Sequence, residues 1–335
     1  MRRQRYRRPV SNSLICALRR AAPLLAEGSV LVGGQAVIEG VLMRLPSSYA
    51  VAVRDPKGEI RVKKEKTLET AKGKLGNLPL LRGTVILFKS LMLGISALNW
   101  SAEVAMEEEA KPSEGSGEPA PKKASSVALA LTVALSLAAG VALFFYVPLL
   151  LTQWLARTSA FAQTSIGFNL VDGAIRVVFF LAYLAGISAM KDIRRVFAYH
   201  GAEHKVVHTW EAKEELTVSH ARAKSTLHPR CGTSFLLFVM VVSILVFSIV
   251  PSGWPFWTKA LSRIVFLPLI AGLSYELIRL TGKFPRFWPF KPLIWPGLGL
   301  QLLTTRQPDD SMLEVSLRAL CEAKAVAEET ATPRQ

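Results

Sequence analysis

The five histidines of this 335-residue chain all lie between His200 and His228. His200, His204 and His208 are spaced by four residues, which places successive imidazoles on one face of a helix. The residues from His200 to His204 read H-x-x-E-H, and two histidines at this spacing can both reach one metal ion. Glu203, beside them, can orient or deprotonate a water molecule at such an ion. The pattern predicts a site for a divalent metal, with zinc favoured.

Three further residues are candidates to complete the coordination. His228 and Cys231 offer an imidazole and a thiol three residues apart within a Pro- and Gly-containing turn. Glu276 is an ionisable residue in an apolar segment, which makes it a candidate for function. Three alternatives stay open at this stage. The histidines could form a structural polar network, Cys231 could be a nucleophile, and Glu276 could pair with Arg279 or Arg176.

The composition favours a membrane protein. Half of the residues are hydrophobic and only 20% are charged, yet 41 Lys and Arg outnumber 25 Asp and Glu to give a net charge of +16. This apolar content excludes disorder of the whole chain, and three scattered cysteines exclude a disulfide scaffold. No basic motif interleaved with aromatic residues is present, so we expect no specific nucleic-acid partner.

Four stretches are long and apolar enough to be predicted as membrane spans. They are residues 127–151, 173–190, 232–258 and 264–280. Basic residues cluster before the first span, after the second and after the fourth, which predicts that both termini and the 191–231 segment are cytoplasmic. Residues 1–20 are basic but lack the apolar run of a signal peptide. We therefore expect a multi-pass protein whose first partner is the lipid bilayer.

The remaining segments predict a small soluble unit. Residues 49–54 and 59–63 alternate between apolar and polar side chains and are separated by Asp55-Pro56-Lys57-Gly58, which predicts a β-hairpin. Residues 300–305 read as a strand and residues 311–328 as an amphipathic helix. Because neither terminal piece can bury a core alone, we expect both to pack into one cytoplasmic α+β unit.

The predicted organisation is thus an α-helical integral membrane protein of about four spans with a small cytoplasmic α+β unit formed by the N- and C-terminal segments. The predicted segments are a basic arm (1–28), a β-rich segment (29–77), an interfacial or re-entrant helix (78–105), a flexible linker (106–126), spans 1 and 2 (127–191), a His-rich loop (192–231), spans 3 and 4 (232–281), and a strand and helix (282–328).

Several motifs together resemble the YqhQ-like membrane family, which is found widely in bacteria. They are residues 33–44 (GGQAVIEGVLMR), 199–205 (YHGAEHK), 228–235 (HPRCGTSF) and 300–305 (LQLLTT). The resemblance covers roughly residues 30–320 in the same order. It implies a metal-dependent enzyme whose substrate is not established, with His200, His204, His228 and Cys231 at the metal, and a location in the bacterial inner membrane.

Two functions from different classes follow. The first is a membrane hydrolase in which His200 and His204 bind zinc, Glu203 is the general base, and His228, Cys231 or Glu276 completes the coordination. The second is a non-enzymatic membrane protein, such as a transport, lipid-handling or assembly factor, with a structural His/Glu network. The substrate or protein partner is unknown in both cases. The second function tolerates Glu203→Gln, whereas the first does not.

Overall fold

The computed structural model describes residues 32–67, 78, 80–106, 126–283 and 291–331. This part of the chain is mostly helical, with one small antiparallel sheet near its beginning. The predicted basic arm and almost all of the predicted linker lie outside the described residues.

The sheet has four strands in sequential order, each antiparallel to the next. They are β1 (Gly33–Val37), β2 (Gly40–Leu45), β3 (Ser48–Arg54) and β4 (Ile60–Lys66). β3 and β4 form the predicted hairpin, with Arg54 opposite Ile60. The Asp55 carboxylate holds the turn between them by accepting hydrogen bonds from the backbone N–H groups of Lys57, at 3.0 Å, and Glu59, at 2.8 Å.

Helices make up the remaining elements. The first are α1 (Leu81–Met106), α2 (Ser126–Val141), α3 (Val147–Leu155), α4 (Ala160–Gln163), α5 (Ser165–Ile187) and α6 (Lys191–Glu211). The others are α7 (Val218–Arg222), α8 (Gly232–Phe247), α9 (Phe256–Val265), α10 (Leu267–Lys283), α11 (Lys291–Thr304) and α12 (Asp310–Ala331). A π-helical segment, Ala142–Tyr146, joins α2 to α3.

Several of these helices have the length and composition of membrane spans. Three qualify among the described residues, Leu81–Met106, Ala134–Leu155 and Ser165–Ile187, and the bent pair α9–α10 makes up to four. On α9 the polar pattern is inverted: Lys259 and Arg263 are buried, whereas Trp257 is 74% exposed and Leu261 is 60% exposed. A helix with polar residues inside and apolar residues outside is the pattern expected in lipid, where buried charges face the bundle interior.

The structure differs from the predicted spans in its second half. The predicted span 232–258 is not one helix, because α8 ends at Phe247 and α9 begins at Phe256. Pro251 and Pro255 lie between them and cannot supply the backbone N–H groups of a continuing helix. The 264–280 segment is the second arm of a helix pair bent by 45°. Pro268 lies at this bend, where it likewise lacks an N–H group.

The helix with the histidines is separate from the second span. The sequence predicts one helix running from the span into the histidines, but α5 ends at Ile187 and α6 begins at Lys191. Met190 adopts an extended backbone conformation at the start of α6. The Arg194 side chain donates to the Ser188 carbonyl across this turn at 3.2 Å. The predicted continuous helix is therefore wrong, and the predicted His-rich loop is in large part the regular helix α6.

The sheet is covered on both faces. One face packs against α6 and α12 around Val41, Met43 and Leu320, which are all fully buried. The other face packs against the second half of α1, around Val51 and Ala97. The N-terminal sheet and the C-terminal helix thus share one core, as predicted for the α+β unit, and we use "α/β unit" for the four strands with α6 and α12.

Helix α1 connects the α/β unit to the apolar helices. Its first half contacts α10, where Thr84 Oγ1 donates to the Pro268 carbonyl at 3.1 Å. Its second half lies under the sheet, where Ser101 Oγ accepts from the Ile38 N–H at 3.2 Å. The helix is unbroken and long enough to cross a membrane, and its interfacial or re-entrant placement stays a prediction.

The predicted strand at residues 300–305 is wrong, because α11 extends to Thr304. Leu300, Gln301 and Thr304 are buried and have the i, i+1, i+4 spacing of one helical face. α11 packs against α8 along its length. The β-branched threonines suggest a strand locally, but packing on a neighbouring element outweighs a weak local preference.

Candidate functional site

Helix α6 carries the predicted site and lies against the edge strand β1. The approach is close because the facing residue is Gly34: an ideal Cβ there would lie 2.6 Å from Glu203 Cγ. On the same helix Gly201 lies beneath the backbone after α11, and a Cβ at this position would overlap the Arg306 carbonyl oxygen. Two glycines therefore allow a strand and a loop to contact the helix directly.

Two side chains of α6 hold the loop that leads to the second motif through three hydrogen bonds. Lys205 Nζ donates to the carbonyls of Arg222, at 2.8 Å, and Lys224, at 2.6 Å. His208 Nε2 donates to the Leu227 carbonyl at 2.9 Å. These contacts hold residues 222–227 against the histidine face of α6. His228 and Cys231 come directly after them in the chain and therefore lie near the same face.

The structure brings His200, His204 and Cys231 together. One potential ligand atom from each lies within 4.8 Å of the other two. The distance from His200 Nε2 to Cys231 Sγ is 3.2 Å. Two zinc ligands with Zn–N and Zn–S bonds of normal length would be separated by about 3.5 Å in a tetrahedral site. His200 and Cys231 are therefore spaced as two ligands of one ion would be, and a ligand atom of His204 lies within 4.8 Å of both.

Hydrogen bonds to backbone carbonyls engage Nδ1 of each imidazole and leave Nε2 to face the group of potential ligands. His200 Nδ1 lies 2.8 Å from the Thr304 carbonyl oxygen, and His204 Nδ1 lies 2.5 Å from the Thr226 carbonyl oxygen. A carbonyl only accepts, so both Nδ1 atoms carry the proton and both Nε2 atoms present a lone pair. Backbone carbonyls commonly orient metal-binding histidines in this way.

His204 Nε2 is the unusual atom of the group. It is buried and has no hydrogen-bond partner among the described residues, and the whole residue is only 1% exposed. A buried polar atom without a partner loses about 1–3 kcal/mol, so such atoms require an explanation. A metal ion bound at the lone pair would supply one.

Glu203 lies beside this lone pair. Its Oε2 is 3.6 Å from His204 Nε2, and its carboxylate accepts a hydrogen bond from the Gly34 backbone N–H. Burial raises the pKa of Glu203 above its ordinary value, although His200, His228 and the Gly34 N–H act in the opposite direction. The carboxyl group is thus positioned to exchange a proton with a molecule at the His204 nitrogen.

His228 belongs to a second group of potential ligands, with His208 and Glu211. Its Nε2 faces Glu211 Oε1 at 3.2 Å, and its Nδ1 accepts from the Arg230 backbone N–H at 3.2 Å. Glu211 is also paired with the Arg230 guanidinium. Burial acts to raise the pKa of Glu211, but His228 and Arg230 lower it on balance. The Glu211 carboxylate of this second group is thus occupied by His228 and Arg230. In the first group, by contrast, His204 Nε2 has no hydrogen-bond partner among the described residues.

Glu276 is not brought to the histidines. Both of its carboxylate oxygens accept hydrogen bonds from the Arg82 guanidinium of α1, one of them at 2.6 Å. Neither group of potential ligands among the described residues includes it. The sequence alternative of an ion pair is therefore the one observed, but with Arg82 as partner rather than Arg279 or Arg176.

Sequence reasoning missed the roles of three residues. His208 has the four-residue spacing of the other histidines, and Glu211 follows it at i+3 on the same face, so the periodicity contained a signal for both. Gln301 gave no such signal. Its side-chain amide donates to the His228 carbonyl and accepts from the His228 N–H, both at 2.8 Å, and so fixes the backbone of the second motif.

The fold and site define a class: a helical protein with membrane-span-capable helices and a His/Cys group on a small α/β unit. Within that class, the family model described as "Protein of unknown function (DUF1385)" matches residues 78–326. The chain is also 33% identical over 310 residues to the uncharacterized protein YqhQ of Bacillus subtilis strain 168, covering 90% of this chain and 95% of that protein. This chain belongs to the DUF1385 family, which confirms the resemblance found in its motifs. No solved structure matches the chain significantly.

Proposed function

We propose that this protein is a metal-dependent membrane enzyme in which His200, His204 and Cys231 hold one divalent ion, with zinc favoured. The observation that carries the proposal is the buried Nε2 atom of His204, which has no hydrogen-bond partner among the described residues and lies within 4.8 Å of ligand atoms on the other two. Two imidazole nitrogens and one thiolate are donors that zinc prefers.

The proposed reaction class is hydrolysis. A zinc ion held by His200, His204 and Cys231 would supply a Lewis acid towards water or a carbonyl or phosphoryl oxygen. Glu203, 3.6 Å from His204 Nε2, is the proposed general base that takes a proton from the attacking water. Thr304 and Thr226, through their carbonyls, keep the two imidazoles in the required tautomer.

The proposed location is the cytoplasmic face of the bacterial inner membrane, with both termini inside. The bias of basic residues towards three of the predicted loops supports this orientation. Only three residues separate the end of the span-capable helix α5 from the start of α6, so the site would lie close to the membrane surface. We infer a substrate that reaches the site from the cytoplasm or the inner leaflet.

Metal analysis of the detergent-purified protein tests this proposal. We expect about one equivalent of zinc per wild-type chain, as one three-ligand site requires, and its loss in His204→Ala. His220→Ala is the matched control, because His220 is exposed and lies outside both ligand groups. Glu203→Gln should retain the metal, since Glu203 is assigned to proton transfer.

Two results would contradict the proposal. Equal metal content in His204→Ala and His220→Ala would contradict the assignment of a metal ion to His204. Full complementation of a deletion strain by metal-loaded Glu203→Gln would leave the ion in place but remove the general base, and would favour the non-enzymatic alternative.

A further inference from the structure

A second polar cluster lies inside the helical bundle, far from the histidines. Its charged residues are Asp172 and Arg176 on α5 and Lys259 and Arg263 on α9, and each is at most 9% exposed. Asp172 precedes the end of α5 at Ile187 by fifteen residues, or about 22 Å of helix. Lys259 and Arg263 fall between the predicted spans 232–258 and 264–280, whereas the structure buries both on helix α9.

The cluster contains more positive than negative charge. Asp172 Oδ2 is shared by two guanidiniums, 3.0 Å from Arg176 Nη2 and 2.9 Å from Arg263 Nη2. Arginine remains protonated in proteins, so these two residues alone exceed Asp172 by one charge, and Lys259 adds its ammonium. Such an excess is expensive inside a membrane unless an anion compensates it.

Aromatic rings compensate only part of this charge. Arg263 lies 3.9 Å from the centroid of the Phe247 ring, and Lys259 lies 4.2 Å from that of Phe168. Arg176 lies 5.6 Å from the same Phe247 ring. A cation above a ring gains attraction but no hydrogen-bond acceptor, so the N–H groups still require partners.

Several of these N–H groups have none. Arg263 Nη2 donates to Asn169 Oδ1 at 3.0 Å, but Arg263 Nε, Arg263 Nη1 and Arg176 Nε are buried and have no hydrogen-bond partner among the described residues. The Arg263 side chain is almost completely buried, with an exposure of 1%. Three guanidinium nitrogens therefore lie beside surplus positive charge with no acceptor among the described residues.

We propose that this cluster binds a phosphate-type oxyanion. Guanidinium groups present planar, paired donors that match the oxygens of a phosphate. Trp257, on the outer face of α9, is 74% exposed, and tryptophans of this kind mark the level of lipid headgroups in a membrane. The phosphate of an anionic lipid and free inorganic phosphate both present this chemistry. The inference does not depend on the metal site.

Binding to the full-length protein in a phosphate-free, uncharged detergent tests the proposal. One arm titrates inorganic phosphate at constant ionic strength, and the other adds phosphatidylglycerol, with bound anion counted by native mass spectrometry. We expect one anion per chain in at least one arm. Saturation by phosphate alone identifies a free-anion site, and displacement of phosphate by phosphatidylglycerol identifies a lipid site.

Two substitutions should act in opposite directions. Arg263→Gln removes the orphaned donors and should weaken binding about tenfold or more, as expected for charge-assisted hydrogen bonds. Asp172→Asn removes the competing carboxylate and should strengthen binding. Arg157→Gln is the matched control, because Arg157 is an exposed arginine between α3 and α4. A purely structural ion-pair cluster predicts no such opposition.

The proposal is overturned by absence of a bound anion in both arms for wild type and Asp172→Asn. It is equally overturned if Arg263→Gln and Arg157→Gln bind alike. If Arg263→Gln does not fold, the comparison of Asp172→Asn with wild type decides, and unchanged or weaker binding in Asp172→Asn overturns the proposal.

Discussion

At the scale of residues, the geometry of the histidine face depends on a position without a side chain. Gly34 allows β1 to approach α6 so closely that its backbone N–H reaches the Glu203 carboxylate. The neighbouring Gly33 has the same residue type and lies in the same strand, but its Cβ position is open, with nothing within 4 Å. Substituting each glycine by alanine therefore distinguishes the effect of the close contact at Gly34 from the general effect of replacing a glycine in a strand.

We predict that Gly34→Ala destabilises the protein by about 1–3 kcal/mol, the usual cost of adding atoms to a packed contact. A Cβ at this position would lie 2.8 Å from the Leu42 carbonyl oxygen as well as against Glu203, so rotation of one side chain cannot relieve the overlap. Gly33→Ala should stay within about 0.5 kcal/mol of wild type. Thermal unfolding of both variants in detergent measures the difference, and equal melting temperatures would contradict the close contact.

The sequence predicted these site residues unequally. The proximity of His200, His204 and Cys231 was predictable because periodicity and motif spacing specify which residues share one face of one helix or one turn. Glu276 was assigned from its depth along a predicted span, but depth does not give direction around the helix axis. Its partner Arg82 comes from a segment 194 residues away, and no local pattern encodes that pairing.

At the scale of elements, the β3–β4 hairpin is held by a single buried carboxylate. Asp55 is 5% exposed, and besides the two turn N–H groups it accepts from Arg61 Nε at 3.1 Å. Burial acts to raise the pKa of Asp55, but the hydrogen bonds from Glu59, Arg61 and Lys57 lower it on balance. The ionised form is therefore favoured in the folded state.

We predict that Asp55→Asn destabilises the protein at pH 7 by about 1–2 kcal/mol, as expected for lost hydrogen bonds to a charged group. The folded pKa lies below the unfolded value of about 3.9, so the contribution is present above that pH and declines as pH falls through the folded pKa. The stability gap between wild type and Asp55→Asn should therefore narrow below about pH 4. Thermal unfolding from pH 3 to 7 measures it, with the exposed Glu59→Gln as control. If the difference in stability between wild type and Asp55→Asn grew at acidic pH, the proposed lowering of the Asp55 pKa in the folded state would be wrong.

Elements were predictable where local pattern and tertiary packing agree. The hairpin was found because alternation and turn residues both specify it. The strand at residues 300–305 was not a strand because Leu300 and Gln301 are buried by packing on other helices, which a six-residue window does not contain. The break between α5 and α6 was missed for a related reason. Residues 188–190 include neither Gly nor Pro, so no helix-breaking residue marks the end of α5.

At the scale of the whole molecule, the two proposed sites lie at different ends of the bundle. The histidines lie on α6 of the α/β unit, and the arginine cluster lies between the beginning and the middle of α5 and in α9. In the orientation that the basic residues favour, these ends face the cytoplasm and the outside respectively. The orientation is a prediction that two exposed positions can test.

We predict that Thr158→Cys reacts with a membrane-impermeant maleimide in intact cells, because Thr158 is exposed between α3 and α4. Ser219→Cys, exposed on α7, which packs against α6 and α12 of the α/β unit, should react only after the cells are permeabilised. The wild-type protein, with its native cysteines, gives the background. Labelling of Ser219→Cys from outside intact cells would reverse the proposed topology.

The covering of the sheet by the last helix also sets an order of events during synthesis. Ser48 Oγ donates to the Ala323 carbonyl at 2.6 Å, across 275 residues of chain. A ribosome adding about 5–20 residues per second needs about 14–55 seconds to cover that interval. During this time the apolar side of the strands around Val41 and Met43 has no α12 to cover it. A nascent chain released before residue 310 keeps that side open, and is marked for chaperones and proteases by the same surface that completes the finished protein.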